Sequence, residues 1–386
     1  MKPRVFWATA WSVAAIACCL SCTVSAAEDL LVLKSAHFAH HIERFNAAED
    51  ENRVNFVSNA DSWGWLRANI PFFECPDPDV EQIYYFRWWS LRKHLVRLPQ
   101  GFAFTEFITN PVPISSALGH HLNEGRWLRD PRYCDDYVLY WLRGSGGGPQ
   151  PKLHNYSNWL AYALHQRYLV TLDASFVVSL LDDLVRDYQQ WEKERRLESG
   201  LFWQFDVRDA MEESISGSRT RKNVRPTINS YMFGNATAIA AIARLANQQD
   251  LAQTYERKAA ELKRLTQQAL WDPAAKFFKV RYEDGSLCDA REAIGFIPWY
   301  FELPDPGYEA AWAQLADPAG FRAPYGITTA ERRHPLFRSH GTGKCEWDGA
   351  VWPYATSQTL TALANVLRDY RQSIVTAKDY FDAFLT

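Results

Sequence analysis

Apolar side chains recur at helical spacing in segment after segment of this 386-residue chain, and the segments come in pairs joined by short turns. Residues 84–98 carry apolar and aromatic side chains at that spacing. Segments 114–127 and 133–142 follow, broken by "RDP", and 159–170 and 176–191 flank the turn "TLD". Residues 230–246 place Ile239, Ile242 and Leu245 on one face. After "NQQD", residues 251–270 repeat the pattern with Tyr255, Leu262 and Leu265. A last long helix is expected from about Val351 to Asp369. Strand patterns are few. "FAFTEF" (102–107) alternates, and "KFFKVRYEDGSL" (276–287) reads as a hairpin turning at Asp284-Gly285. Paired helices with long loops at their other ends predict a mostly α fold, an α/α solenoid closed into a toroid. An open superhelix lacks the fixed repeat period it would need, although pairing alone does not decide closure.

The composition is globular, 47% hydrophobic and 23% charged, without a sharp shift along the chain. One mature domain over 27–386 is therefore expected, with its oligomeric state left open. Net charge is −3, which gives no electrostatic attraction to nucleic acid. Sixteen Trp, 18 Tyr and 22 Phe fill a core or stack on flat sugar faces. The first 26 residues read as a targeting segment: Lys2 and Arg4, an apolar run over 5–20, and a small-residue site at Val24-Ser25-Ala26. Export to the periplasm or medium follows, with no membrane span because the run is too short. Cys18 and Cys22 leave a lipid anchor open. Of seven cysteines, Cys75, Cys134, Cys288 and Cys345 remain in the mature chain, where disulfides and buried free thiols are both compatible with the spacing.

Chemistry concentrates in three stretches. The first, "DVRDAMEESISGSRTRKNVRPTINSYMFGN" (206–235), gathers Asp206, Asp209, Glu212 and Glu213 within eight residues, before a helical pattern. Asp209 and Glu212 are three apart and can face one cleft, where two carboxylates drive their pKa values apart and one stays protonated. Arg208, Arg219 and Arg225 can hold the others ionised or bind hydroxyls. The alternative is a solvated acidic turn that caps a helix starting near Asn229.

The second, "GHHLNEGRWLRDPRYCDDY" (119–137), packs His120, His121, Glu124, Arg126 and Trp127 together. His121 with Glu124 makes half a metal site, and no second pair stands at ligand spacing. A set of His334, His340 and Cys345 matches no metal motif, so neither metal nor cofactor is expected. The third, "KCEWDGAVWPYATSQTLTAL" (344–363), sets Glu346, Trp347, Asp348 and Trp352 at the N-terminal rim of the last long helix. There Trp347 reads as a sugar-contacting ring and Trp352 as a wedge between helices. Phosphate-binding loops, nucleophile elbows and paired Cys-x-x-Cys are missing from the sequence. Paired-carboxylate hydrolysis is the remaining chemistry, one acid and one base flanking a glycosidic bond.

Taken in order, "RDAMEESISG", "RPTINSYMFGNATAIAAIA" and "WDGAVWPYATSQTL" resemble the (α/α)6-toroid glycosidases of the glycoside hydrolase family 63 type, mannosylglycerate-hydrolase-like and trehalase-like, over roughly 84–370. The resemblance implies an (α/α)6 toroid, glycoside hydrolysis with inversion, a carbohydrate substrate and no metal. It lays the family's acid on Glu212, within "AMEES", where those enzymes carry Asp, and keeps Asp209 as a competitor. Asp206, Arg208, Glu124, Arg126, Trp127 and Arg225 are expected to bind substrate, with Trp347, Asp348 and Trp352 on the sugar-contacting rim. By the same resemblance the catalytic base belongs beyond Thr386, leaving an incomplete toroid, with Glu346 and Asp348 as stand-ins. Two other functions are compatible with this pattern. One is a carbohydrate-binding remnant without a base. The other is a polysaccharide lyase using His120 and His121 with Arg126.

Overall fold

The computed structural model describes residues 33–339 and 345–386. The expected targeting segment and His340 lie outside the described residues. The chain divides into two compact units.

Of the described residues, the first unit holds 33–52 and 57–92. It is built on α1 (Ala39–Ala47), α2 (Asn59–Asn69) and most of α3 (Pro78–Lys93). Ser58 caps α2 by accepting from the Asp61 amide, which satisfies one of the helix's orphan donors. Phe38 stacks on Tyr85 at 5.1 Å, and Phe45 meets Trp89 at 5.7 Å. Arg92 is fully buried and is tolerated there because it donates to the Val57 carbonyl (2.7 Å) and to the Asn59 side chain.

The second unit holds residues 53–56 and 93–386. Its hairpin pairs β1 (Leu95–Leu98) with β2 (Gly101–Phe104), from Leu95↔Phe104 to Leu98↔Gly101. The helix expected over 84–98 therefore ends at Lys93. Pro99 follows, and Gly101, at φ 127°, turns the chain back.

Beyond the hairpin the helices come in pairs, as the periodicity predicts. They are α4 (Leu118–Gly125) with α5 (Arg132–Arg143), α6 (Leu160–Thr171) with α7 (Ala174–Ser179) and α8 (Leu181–Arg195), and α9 (Pro226–Leu245) with α10 (Gln249–Leu270). Short β3 (Trp271–Asp272) and β4 (Phe277–Phe278) lead to α11 (Ile297–Tyr300) and α12 (Ala313–Ala316). Then β5 (Arg322–Ala323), β6 (Gly326–Ile327), α13 (Pro353–Asp369) and α14 (Ala377–Leu385) complete the order. One helix of each pair packs on its counterpart in the next, α4 on α6, α6 on α9, α9 on α11 and α11 on α13. The others lie outside, α5 against α4, α10 against α9 and α14 against α13.

Sequence explains this division. α9 is apolar nearly all round and almost wholly buried, as a central helix must be. α10 buries only Ala252, Tyr255, Ala259, Leu262, Thr266 and Leu270, a single stripe. Pro226 pre-sets the first turn of α9, which starts there rather than near Asn229. Aromatic rings fill the centre. Trp159 meets Tyr231 at 4.8 Å and His120 at 5.0 Å, and His120 meets Tyr354 at 4.3 Å. The Tyr354 hydroxyl donates to the Ser116 carbonyl (3.1 Å), so α13 approaches the segment that opens α4. Gly119 is required here, because a Cβ would collide with the Trp159 ring.

Two expectations change in detail. Segment 176–191 is two helices that break at Leu180. The hairpin expected over 276–287 forms about its Asp284-Gly285 turn, with the Arg281↔Leu287 bridge, the Tyr282 amide donating to the Ser286 carbonyl (2.8 Å) and the Cys288 amide to the Val280 carbonyl (2.8 Å), while Phe278 and Phe277 pair instead with Trp271 and Asp272. The four described cysteines are unbonded. No described helix is long and apolar enough to cross a membrane.

Candidate active site

The loops that precede the inner helices carry the unit's clustered acids. Glu106 lies ahead of α4, Tyr156 ahead of α6, Asp206 to Glu213 ahead of α9, Glu292 ahead of α11, and Cys345 to Asp348 ahead of α13. Hydrogen bonds from backbone amides, to two carbonyls and to the Glu292 carboxylate, tie these loops together. The Trp347 amide donates to the Glu212 carbonyl (3.1 Å), the Ser157 amide to the Arg208 carbonyl (2.8 Å), and the Ser216 amide to Glu292 (3.3 Å).

Glu212 is half-buried and sits between two residues in left-handed backbone, Ala210 at φ 58° and Glu213 at φ 59°. Left-handed conformations cost about 1–3 kcal/mol each for residues with a Cβ, and they persist where the surroundings over-determine them. Burial pushes the Glu212 carboxyl up, and the nearby charges of Asp206 and Glu106 add to this against a hydrogen bond in its own backbone and the charge of Arg219. Burial, then the charges of Glu212 and Glu106, also push up the Tyr156 hydroxyl and the Cys345 thiol, so both groups lie within the field of these two carboxylates. Glu106 is anchored by the Ser116 hydroxyl. Asp206 is buried, accepts from the Val207 amide (2.8 Å), and lies so close to Gly217 that a Cβ there would run into its carboxylate. A cleft of about 560 Å³ opens beside it, lined by Asp206, Glu213, Arg219, Arg338 and Asp348 among others. That is room for a sugar.

Asp209 has a different place. Its side chain is fully buried and accepts from Arg225 Nε at 2.6 Å and from the Thr227 hydroxyl. Arg225 is equally buried and donates to Ser216 (3.3 Å). Both belong under the loop as scaffold, since a carboxylate sealed in an ion pair has no route to a substrate oxygen. Asp209, expected as a donor, and Arg225, expected as a hydroxyl ligand, thus stand in a buried ion pair with each other. The solvated helix cap is corrected. Arg225 is the N-cap of α9 without a side-chain cap bond, and no acid stands in the helix's first turn.

On the rim, Trp347 is buried, stacked on Trp352 at 5.4 Å with rings 1° from parallel and edge-on to Tyr354 at 5.8 Å. Trp352 is the more exposed of the two and donates through Nε1 to the Glu346 carbonyl (2.7 Å). The expected roles are thus exchanged, with Trp347 as the wedge and Trp352 as the ring with an open face. Asp348 pairs with Arg338 at 2.5 Å, and Glu346 is buried.

Exposed Arg208 reaches the Asn155 carbonyl (3.4 Å) and bridges two loops. Glu124, Arg126 and Trp127 are not brought to this cluster. They lie at and beyond the C-terminal end of α4, the opposite end of an inner helix from the loops above. There Arg126 lies 5.3 Å over the Trp127 ring and feels Tyr300 and Tyr162. His121 is enclosed by Phe104 and Tyr137, and burial takes its pKa down to about 3, which makes it a neutral ring and a weak base for a lyase reaction. Sequence reading passed over Glu106, taken as part of a strand, and Glu292. Both would emerge from one rule, to tabulate the acids in each loop that precedes an inner helix.

This arrangement has counterparts among known proteins. Residues 110–384 match the model of the mannosylglycerate hydrolase MGH1-like glycoside hydrolase domain. Against a solved sialidase the chain has a TM-score of 0.88 and 49% identity over 91% of its own length, and it spans 33% of that longer chain. A family 63 mannosylglycerate hydrolase from Thermus thermophilus, solved with glucose, gives 0.53 at 15% identity, covering 70% of this chain and 80% of that one. A rhamnosidase from Klebsiella oxytoca with rhamnose bound gives 0.54 at 14% identity, covering 77% and 53%. No curated protein sequence matches. The fold is the mostly helical (α/α)6-toroid type of the family 63 enzymes.

Proposed function

The chain belongs to the mannosylglycerate hydrolase MGH1-like glycoside hydrolase family, and from that premise we propose that it hydrolyses a glycosidic bond with Glu212 as general acid. The carrying observation is the Glu212 carboxyl itself. It is half-buried on a strained loop, beside Asp206 and Glu106, and shifted toward the protonated form. In the proposed step Glu212 gives its proton to the leaving oxygen as the anomeric carbon–oxygen bond breaks. Water supplies hydroxide to the anomeric carbon and its proton to a basic group. Asp206 and the exposed face of Trp352 support substrate contact. Inversion and export, the latter through the first 26 residues, belong to the same reading.

Glu212→Gln tests it. Loss of general acid catalysis costs about 10²–10⁴-fold in turnover of an unactivated glycoside, with binding retained. Full turnover by the variant would remove Glu212 from the reaction. α-Mannosyl and α-glucosyl substrates come first, with the anomer of the product read by NMR. Mature material is expected to begin at Ala27 or Glu28 on N-terminal sequencing.

A second reading has one observation in its favour. Arg219 and Arg338 line the cleft, held by Glu213 (3.3 Å) and Asp348 (2.5 Å), and an anionic sugar can compete for them. A sialoside therefore belongs in the panel, and its exclusive hydrolysis would decide for this reading.

A further inference from the structure

Outside the acid cluster, His154 has a bonding pattern that one protonation state alone satisfies. Its Nε2 lies 2.8 Å from Asp187 and its Nδ1 lies 3.2 Å from Glu194, both on α8. A neutral imidazole has one N–H and would turn a lone pair toward one of these carboxylates, whereas the imidazolium donates to both. The ring also stacks on Trp191, 4.2 Å away and 19° from parallel. The other charged groups beside the ring are Asp183 and Arg186, which pair with each other on α8, Asp183 also taking Arg143 from α5, while the uncharged Gln190 donates to Glu194 at 2.6 Å. A cavity of about 380 Å³ alongside gives protons a path to the ring.

The segment that bears this histidine holds the acid loop. The Ser157 amide donates to the Arg208 carbonyl (2.8 Å), Gln204 donates to the Ser157 hydroxyl (3.1 Å), and Arg208 donates to the Asn155 carbonyl (3.4 Å). Three hydrogen bonds thus join residues 155–157 to 204–208, four residues before Glu212.

We propose that His154, as an imidazolium, is a positioning residue that pins the 153–157 strap to α8 and so holds the Glu212 loop in place. Its effect on turnover rests on Glu212 being the acid; its effect on the loop does not. Burial alone would push the ring's pKa down, but the hydrogen bond and charge of Asp187 and those of Glu194 outweigh it, and the net direction is up. The clamp is therefore complete below the ordinary histidine range and is lost as pH rises through the folded-state value.

The test follows the ring and the loop separately, on the full chain. Titration of the ¹⁵N-histidine signals, with His154 assigned by its loss in His154→Gln, is expected to put its midpoint above that of free histidine. Amide hydrogen exchange of 153–158 and 204–212, corrected for intrinsic rates, is expected to rise across that midpoint. His154→Arg keeps a stacked cation that donates to both carboxylates and stays protected at every pH, while His154→Gln is unprotected at every pH. Glu194→Gln, a milder change, lowers the midpoint. With methyl α-mannoside and methyl α-glucoside, whose leaving oxygen needs the acid's proton, kcat falls along the same titration while KM holds. A midpoint at or below that of free histidine overturns the proposal. So does exchange that ignores the titration, or an Arg variant that behaves like Gln. Exchange that follows the titration in a chain inert toward every glycoside upholds the clamp and removes the proposed function instead.

Discussion

Neutralising Asp209 by Asp209→Asn is expected to destabilise the protein strongly without removing the chemistry. The carboxylate and Arg225 are both wholly inaccessible, at 2.6 Å, and Asp209 also takes the Thr227 hydroxyl. Deleting one partner of a buried pair costs about 3–5 kcal/mol, because a desolvated charge is left behind. Here the low end applies. Burial works against the charged guanidinium, yet after Asp209 the charges of Glu292 and Asp206 still support it. In a unit of this size a loss of about 3 kcal/mol corresponds to a fall in Tm of roughly 4–5 °C. Urea unfolding followed by tryptophan fluorescence measures it, with Asp209→Leu/Arg225→Met as the partner experiment. Replacing the whole pair by apolar side chains is expected to restore most of the loss. A single variant within about 0.5 kcal/mol of wild type would refute the buried-charge reasoning. A single variant that is stable but inactive would return Asp209 to the role of donor.

Glu106→Gln keeps a hydrogen-bonding partner for Ser116 but removes a like charge from Glu212, so the alkaline limb of the kcat/KM profile, where Glu212 loses its proton, is expected to move to lower pH. Trp347→Ala is expected to cost about 3–5 kcal/mol in chemical denaturation, as a buried stacked ring does. Trp352→Ala should cost clearly less and act mainly on KM. Gly217→Ala drives a methyl onto the Asp206 carboxylate; calorimetry should show a loss of about 1–3 kcal/mol, and turnover should fall with it.

Helix content and pairing were legible because a 3.6-residue apolar period survives wherever one face is buried, as in α10. Of the first unit only α3 was legible. α1 and α2 are short, and the stripe of α2 is interrupted by Asp61, Gly64 and Arg67. Site residues were legible as a cluster but not as individuals. Asp209 and Glu212 look alike in sequence, and only the placement of Arg225 sixteen residues later separates a sealed ion pair from a half-open carboxyl. Trp347 and Trp352 fail in the same way, because which of two stacked rings faces outward depends on Tyr354 across the stack. Glu124, Arg126 and Trp127 were misplaced because proximity along the chain says nothing about which end of an inner helix a side chain occupies.

The hydrogen bond from the Trp347 amide to the Glu212 carbonyl also sets an order of events during synthesis. The strained acid loop leaves the ribosome long before the segment that braces it from the α13 side. At about 5–20 residues per second that interval is on the order of ten seconds. α9 and α10 can pair in the meantime, being neighbours in sequence, but the loop ahead of them has only part of its support. A nascent chain arrested short of residue 347 would therefore hold α9 and α10 but lack the brace on its acid loop, and a chaperone or protease meeting it then would find Glu212 still exposed.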